Sequence, residues 1–248
     1  WSIVAARLDP QLDGATVRGP ALIDGGVVVL GARKQAQGRR ITSFYLFGVA
    51  LDTGKLLWVR PAGSAGAIPW GRGEQRVHPA PILSRGVVYA VDPLGVIAAV
   101  EAANGRPVWV RKQPAPAMGG GPVDLSAPWT WDAPIARGDT LLTLSPDRSE
   151  ALVLDAPTGA LLARRAGSAL GEPGYLLPVG ERIAAVAEDA VYFASADDLA
   201  SAPVSKTNTF PMGIRGRVVV AGDKLMVPRT DGIAVIDPAR PAGDAAIM

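Results

Sequence analysis

The 248-residue sequence contains no cysteine, one histidine and two asparagines. The first absence excludes disulfides, thiolate nucleophiles and cysteine-ligated metals, and fits an oxidising or a reducing compartment alike. The single histidine, His78 of RVHPAPIL, stands directly before a proline at the entry to a strand. It reads as a structural residue rather than a general base, and no second imidazole is available for a metal pair. Of the asparagines, Asn104 is spent in a turn and Asn208 lies in SKTNTF. With no dense acidic loop beside them, they leave a poor inventory for a hard cation that wants six to eight oxygen ligands.

Other features are missing too. No stretch of 18 apolar residues is present, so no spanning helix is expected, and the N-terminus shows no charged start followed by an apolar leader. Twenty-five basic against 23 acidic residues leave a net charge of only +2. No basic run with interleaved aromatics marks a nucleic-acid groove, so no nucleic-acid partner is expected. The one basic cluster, Arg33, Lys34, Arg39 and Arg40 in RKQAQGRR, reads as a solvated hairpin loop, with contact to an anionic partner or lipid surface as the sharper alternative. GRGE (71–74) and GGGP (119–122) are glycine-rich, but neither leads from a strand into a helix, and a phosphate loop is not supported.

What is plentiful is glycine (29), proline (22) and hydrophobic residues (48%), with no capped helical pattern. DTGKLLW (52–58) and NGRPVW (104–109) each place a tryptophan four residues after a turn glycine, at Trp58 after Gly54 and at Trp109 after Gly105. The two glycines are 51 residues apart, and Gly159 of LDAPTGALLA follows 54 later, with Ala163 in the tryptophan position. Asp237 and Pro241 of VIDPARPAG repeat the offset of Asp155 and Gly159, with one worn unit between. Upstream of these turns, Gly86, Gly138 and Gly222 open GVVYAV, GDTLLTL and GDKLMV. Alternation and β-branched residues make these segments strands. Adding PALI, APIL and APIA before the opening glycines gives about four strands per unit of 40–50 residues. That is the pattern of a β-propeller of four-stranded antiparallel blades.

Five units are visible, starting near Gly19, His78, Ser126, Glu172 and Met212, in an all-β single domain spanning 1–248. A last strand is due after IDPARP. Either WSIVAA at the N-terminus supplies it, or the chain is part of a propeller of six to eight blades, and the second alternative is preferred.

GVVYAVDPLGVIAAVEAANGRPVWV (86–110) resembles the repeat of pyrroloquinoline-quinone-like propellers, and the resemblance extends over about residues 19–241. It implies that Trp58 and Trp109 pack between neighbouring sheets and that the turn residues Gly54, Gly105, Asp155, Gly159 and Asp237 are structural. In the quinone dehydrogenases of that family the cofactor sits between a tryptophan and a disulfide of adjacent cysteines, beside a calcium ion and an Asp base. The disulfide cannot form here, and neither cofactor nor metal is expected. The reading is therefore a non-catalytic scaffold similar to the outer-membrane assembly propeller lipoproteins, with other protein subunits as partners in a membrane-associated bacterial complex, periplasmic or otherwise exported. An atypical cysteine-free quinone dehydrogenase and a sensor propeller attached to a signalling domain are the alternatives. Candidate partner contacts are Trp70 in a long connector, Trp129 and Trp131 on one face of WTWD, and Arg39 and Arg40.

Overall fold

A computed structural model describes residues 1–35, 41–66, 81–92, 95–113, 133–145, 148–241 and 246–247. Two-residue turns such as Arg85-Gly86, where φ is +50° and +74°, fold short apolar strands back on themselves. Positive φ at both positions matches the right-handed twist of the flanking strands, which is why glycine recurs there.

The result among the described residues is five four-stranded antiparallel sheets, each ordered as in the chain. Blade 1 is β1 (Thr16–Asp24), β2 (Val27–Gln35), β3 (Ile41–Ala50) and β4 (Leu56–Gly66). Blade 2 is β5 (Ile82–Ser84), β6 (Val87–Asp92), β7 (Val96–Glu101) and β8 (Pro107–Lys112). Blade 3 comprises β9 (Ile135–Arg137), β10 (Thr140–Leu144), β11 (Glu150–Asp155) and β12 (Leu161–Ala166). Blade 4 has β13 (Tyr175–Val179), β14 (Arg182–Val186), β15 (Val191–Ser195) and a two-residue β16 (Ser205–Lys206), so the worn repeat still forms a complete sheet. Blade 5 is β17 (Val219–Ala221), β18 (Lys224–Arg229), β19 (Gly232–Ile236) and β20 (Ala246–Ile247). The strand expected after IDPARP is thus Ala246–Ile247, which pairs with β19, while residues 1–4 form no strand. These sheets are propeller blades.

The chain divides into two compact units. One holds Trp1–Ser126 with Ala156–Ala160, and the other holds Ala127–Asp155 with Leu161–Met248. In the first unit, alternation sorts blade 1 into two apolar faces. Val27, Val29, Phe44 and Leu46 pack with Val88, Ala90 and Ala98 of blade 2. The intervening residues Val28, Ala32, Phe47 and Val49 are covered by Ala5 and Leu12 of the N-terminal segment. In the second unit, Leu142, Leu144 and Ala151 of blade 3 pack with Leu176, Ile183 and Ala185 of blade 4. The opposite face of blade 4, with Tyr175 and Phe193, packs with Leu225 and Val227 of blade 5. Burial of these faces supplies most of the stabilisation, at about 25 cal/mol per Å² of apolar surface.

Candidate functional site

The tryptophan motif begins with its turn. Gly54, Gly105 and Gly159 adopt φ of +69°, +66° and +71°. One residue earlier, Thr53 Oγ1, Asn104 Oδ1 and Thr158 Oγ1 accept hydrogen bonds from the backbone N–H groups of Lys55, Arg106 and Ala160. A small polar residue followed by glycine is what such a turn requires.

Beyond the turn the fourth strands of blades 1, 2 and 3 each carry a β-bulge at the same place. Trp58 pairs with Gly48 while Leu56 pairs with Val49, so Leu57 is the extra residue. Trp109 pairs with Ala99 and Pro107 with Val100, leaving Val108. In blade 3 the extra residue is Leu162, between Leu161 and Ala163. A bulge re-aims the side chain beside it. Trp58 Nε1 donates to the Ala102 carbonyl at 3.1 Å, and Trp109 Nε1 donates to the Ala156 carbonyl at 2.7 Å. Each acceptor stands three residues before the glycine of the next turn, and a Cβ on Gly105 or Gly159 would overlap the ring of Trp58 or Trp109. Trp1 makes the same contact one step earlier, donating to the Leu51 carbonyl at 2.6 Å over Gly54. Two residues past the indoles, Arg60 Nε donates to Gly105 O and Arg111 Nη1 to Gly159 O.

In blade 3, Ala163 takes the tryptophan position, and Arg165, in the place of Arg60 and Arg111, keeps the arginine connection alone. Its Nη1 donates at 2.8 Å to the carbonyls of both Leu199 and Ala202, in the last turn of blade 4. Arg182 Nη1 likewise reaches Pro238 O at 2.6 Å, in the last turn of blade 5, where Asp237 Oδ1 accepts from Ala239 N–H. Gly105→Ala should be costly, because left-handed backbone strain of about 1–2 kcal/mol adds to overpacking of about 1–3 kcal/mol. A drop in the urea midpoint at unchanged m would register this.

Charged groups hold turns together. Glu101 pairs with Arg106 and accepts from Asn104 Nδ2 at 2.9 Å, and these contacts hold its carboxyl below the ordinary range. Asp198 is likewise depressed by Ser201, which donates through both its hydroxyl and its backbone N–H. A depressed carboxylate contributes stability above its unfolded pKa that is lost as pH falls through its folded pKa. Glu101→Gln should therefore flatten, slightly, the decline of stability with acidification below the usual carboxylate range, as followed by urea unfolding across pH. Arg106 is exposed and Glu101 partly so, which keeps the effect small.

Of the basic cluster, Arg33 and Lys34 are described, and both lie at the end of a strand with partners. Arg33 lies within β2 and is mostly buried, its Nε 2.8 Å from Oδ2 of Asp92, which is itself buried at the end of β6. Lys34 Nζ donates to Gln11 O. Asp92 reads in sequence as a turn residue, and only the three-dimensional pairing of blades 1 and 2 reveals its partner. Trp70, Trp129, Trp131, Arg39, Arg40 and His78 lie outside the described residues.

The described residues gather no donor set for a calcium ion. No group of three or more His, Asp or Glu that could hold a metal occurs among the described residues. Asp92 is covered by Arg33, and Asn104 is committed on both its oxygen and its nitrogen. No helix among the described residues is long and apolar enough to cross a membrane.

Residues 14–123 match the family model described as outer membrane protein assembly factor BamB. BamB from Moraxella catarrhalis superposes with a TM-score of 0.59 at 18% identity, over 92% of this chain and 60% of its own. The quinohemoprotein alcohol dehydrogenase ADHIIG from Pseudomonas putida HK5 gives 0.59 at 13% identity, over 95% and 42%. The Pan2 WD40 domain of Neurospora crassa gives 0.57 at 9% identity, over 99% and 70%. At these identities the structural likeness is one of fold. The chain spans 60% of the length of that BamB. No curated protein matches the sequence.

Proposed function

We propose that this chain, whose repeats are of the pyrroloquinoline-quinone propeller type and similar to those of outer-membrane assembly propellers, is a non-catalytic scaffold. It serves as a protein-interaction subunit of a membrane-associated or exported bacterial assembly, in the periplasm or otherwise outside the cytoplasm. The observation that carries the reading is the repeated bulge. The residue it throws outward is apolar every time, and Leu57, Val108 and Leu162 are 48%, 38% and 56% exposed. Val110, two residues past Val108, is exposed as well. Edge strands of soluble proteins are usually blunted with charge, so apolar positions kept on them suit contact with another protein. The tryptophans Trp58 and Trp109 are spent on joining blades, and among the described residues no group of three or more carboxylates could hold a metal. Trp70, Trp129, Trp131, Arg39 and Arg40 are proposed as further partner contacts on residue type.

A photo-reactive amino acid placed singly at Val108, Val110 and Leu162 in the native bacterium tests this. We expect adducts to one or a few proteins that fractionate with the envelope. No adduct from any of the three positions overturns the scaffold reading, and tight stoichiometric binding of added quinone and calcium by the purified protein would put the dehydrogenase in its place.

A further inference from the structure

β8 is the last strand of the blade 2 sheet, and among the described residues it pairs with β7 alone. Alternate backbone N–H and C=O groups along its outer edge therefore point away from the sheet. Residues 108–112 contain neither proline nor glycine, so the edge is regular and lacks no donor. The other fourth strands are poorer templates. β4 is interrupted by Pro61 and Gly63, and β16 and β20 are two residues long. β12 has a similar edge, but its exposed Arg164 is already paired with Glu150.

The side of β8 towards blade 1 is uncovered as well. The cover that β4 provides ends at β7, where Trp58 and Ala62 pack in one cluster with Val96, Ala98 and Val100, and where a Cβ on Gly63 would overlap Val96. Val110 pairs with Ala98 and Lys112 with Val96, and directly paired residues share a face. The apolar face thus runs on from β7 to β8, where Val110 is 54% exposed and Lys112 is exposed beside it.

Charge narrows the choice of occupant. The fourth strands of the five blades hold Arg60, Arg111, Lys112, Arg164, Arg165 and Lys206 and no Asp or Glu, in a chain balanced at 25 basic to 23 acidic residues. Arg60, Arg111 and Arg165 donate to backbone carbonyls, which leave their charge uncancelled. Glu101, at the end of β7, is taken up by Arg106. Basic residues on an edge repel a second basic edge, so a second copy of this chain is a poor partner, whereas an acidic strand is attracted.

Building on the scaffold role proposed above, we infer that β8 accepts an extended acidic segment of a partner protein as an added fifth strand. Its main chain pairs with residues 108–112, an apolar side chain rests on Val110, and carboxylates come within reach of Arg111 and Lys112. In this mode main-chain hydrogen bonds supply affinity and alternate side chains supply selectivity.

The probe is a fluorescein-labelled ten-residue peptide in which Glu alternates with Val and Thr, titrated into the purified protein and followed by anisotropy. It should bind roughly tenfold more tightly than the same peptide with Lys in place of Glu. Lys112→Glu, with an unchanged urea midpoint as the check on folding, should weaken the acidic peptide and strengthen the basic one. With the acidic peptide bound, the outward amides of residues 108–112 should exchange their hydrogens about tenfold more slowly. Equal affinity for the two peptides, no binding of either, or binding without protection of those amides overturns the inference. Absence of peptide binding together with sedimentation on phosphatidylglycerol vesicles that Lys112→Glu abolishes also overturns it, and assigns the edge to an anionic lipid surface. The photo-reactive positions decide the scaffold role separately: protein adducts without peptide binding leave the scaffold standing and remove the added strand.

Discussion

Trp58→Ala should destabilise the protein by about 3–5 kcal/mol, the range for removing a large buried aromatic. The indole is only 5% exposed. It lies across Gly48, where a Cβ would overlap the ring, and over Gly105 of the following turn. Truncation removes that contact area and leaves a gap between blades 1 and 2 that their strands cannot close without shifting register. It also strips the Ala102 carbonyl of its indole donor. Trp58→Phe separates the two contributions, since it keeps much of the volume and loses the donor, and a loss of about 1–2 kcal/mol is expected from it. Trp109→Ala should cost less than Trp58→Ala because that ring is only partly buried. Equilibrium urea unfolding at constant m would read all three, and a loss below about 1 kcal/mol for Trp58→Ala would remove the dock from any account of what joins the blades.

Asp92→Ala should have an effect of similar size, about 3–5 kcal/mol, for a different reason. Side-chain exposures are 10% for Arg33 and 2% for Asp92. A guanidinium deprived of its carboxylate at such a site keeps its desolvation penalty without the compensating attraction, and breaking buried pairs carries this cost. The double variant Arg33→Met with Asp92→Leu should recover most of the loss, because a buried ion pair replaced by apolar side chains of similar volume is often nearly neutral. The pair joins β2 of blade 1 to β6 of blade 2, so it acts as a register pin as well as an energetic term. A double variant no more stable than Asp92→Ala alone would show that the cost lies in packing around the site rather than in the stranded charge.

The repeat was legible in sequence because it rests on short-range chemistry. A polar residue before Gly54, Gly105 and Gly159 specifies the turn locally, and Val- and Leu-rich stretches specify strands whatever lies around them. The propeller architecture follows from counting such strands. The bulges at Leu57, Val108 and Leu162 were not legible, since a register shift is decided between two strands and leaves the apolar pattern of either one unchanged. The Arg33–Asp92 pair was hidden by its separation of 59 residues, and by a strand-end Asp having an adequate local explanation as a turn residue. Arg165 repeats the place of Arg60 and Arg111, but the contacts it makes are with two backbone carbonyls, and these carry no side-chain signature. The exposed edges of the fourth strands could be inferred as apolar, but which of their residues face water depended on the bulge.

The docks also set how the fold can come apart. Each ties a residue to a carbonyl 34 to 56 positions away, one repeat further along the chain. No dock reaches past its neighbour. Joints of this kind couple a blade to the next one along the chain, as in a one-dimensional array whose cooperativity is built from individual joints. Losing the indole from one joint, as at Ala163, changes the strength of that link. Such an array can accept or lose a unit in evolution at the cost of one joint, without redesign of a shared core.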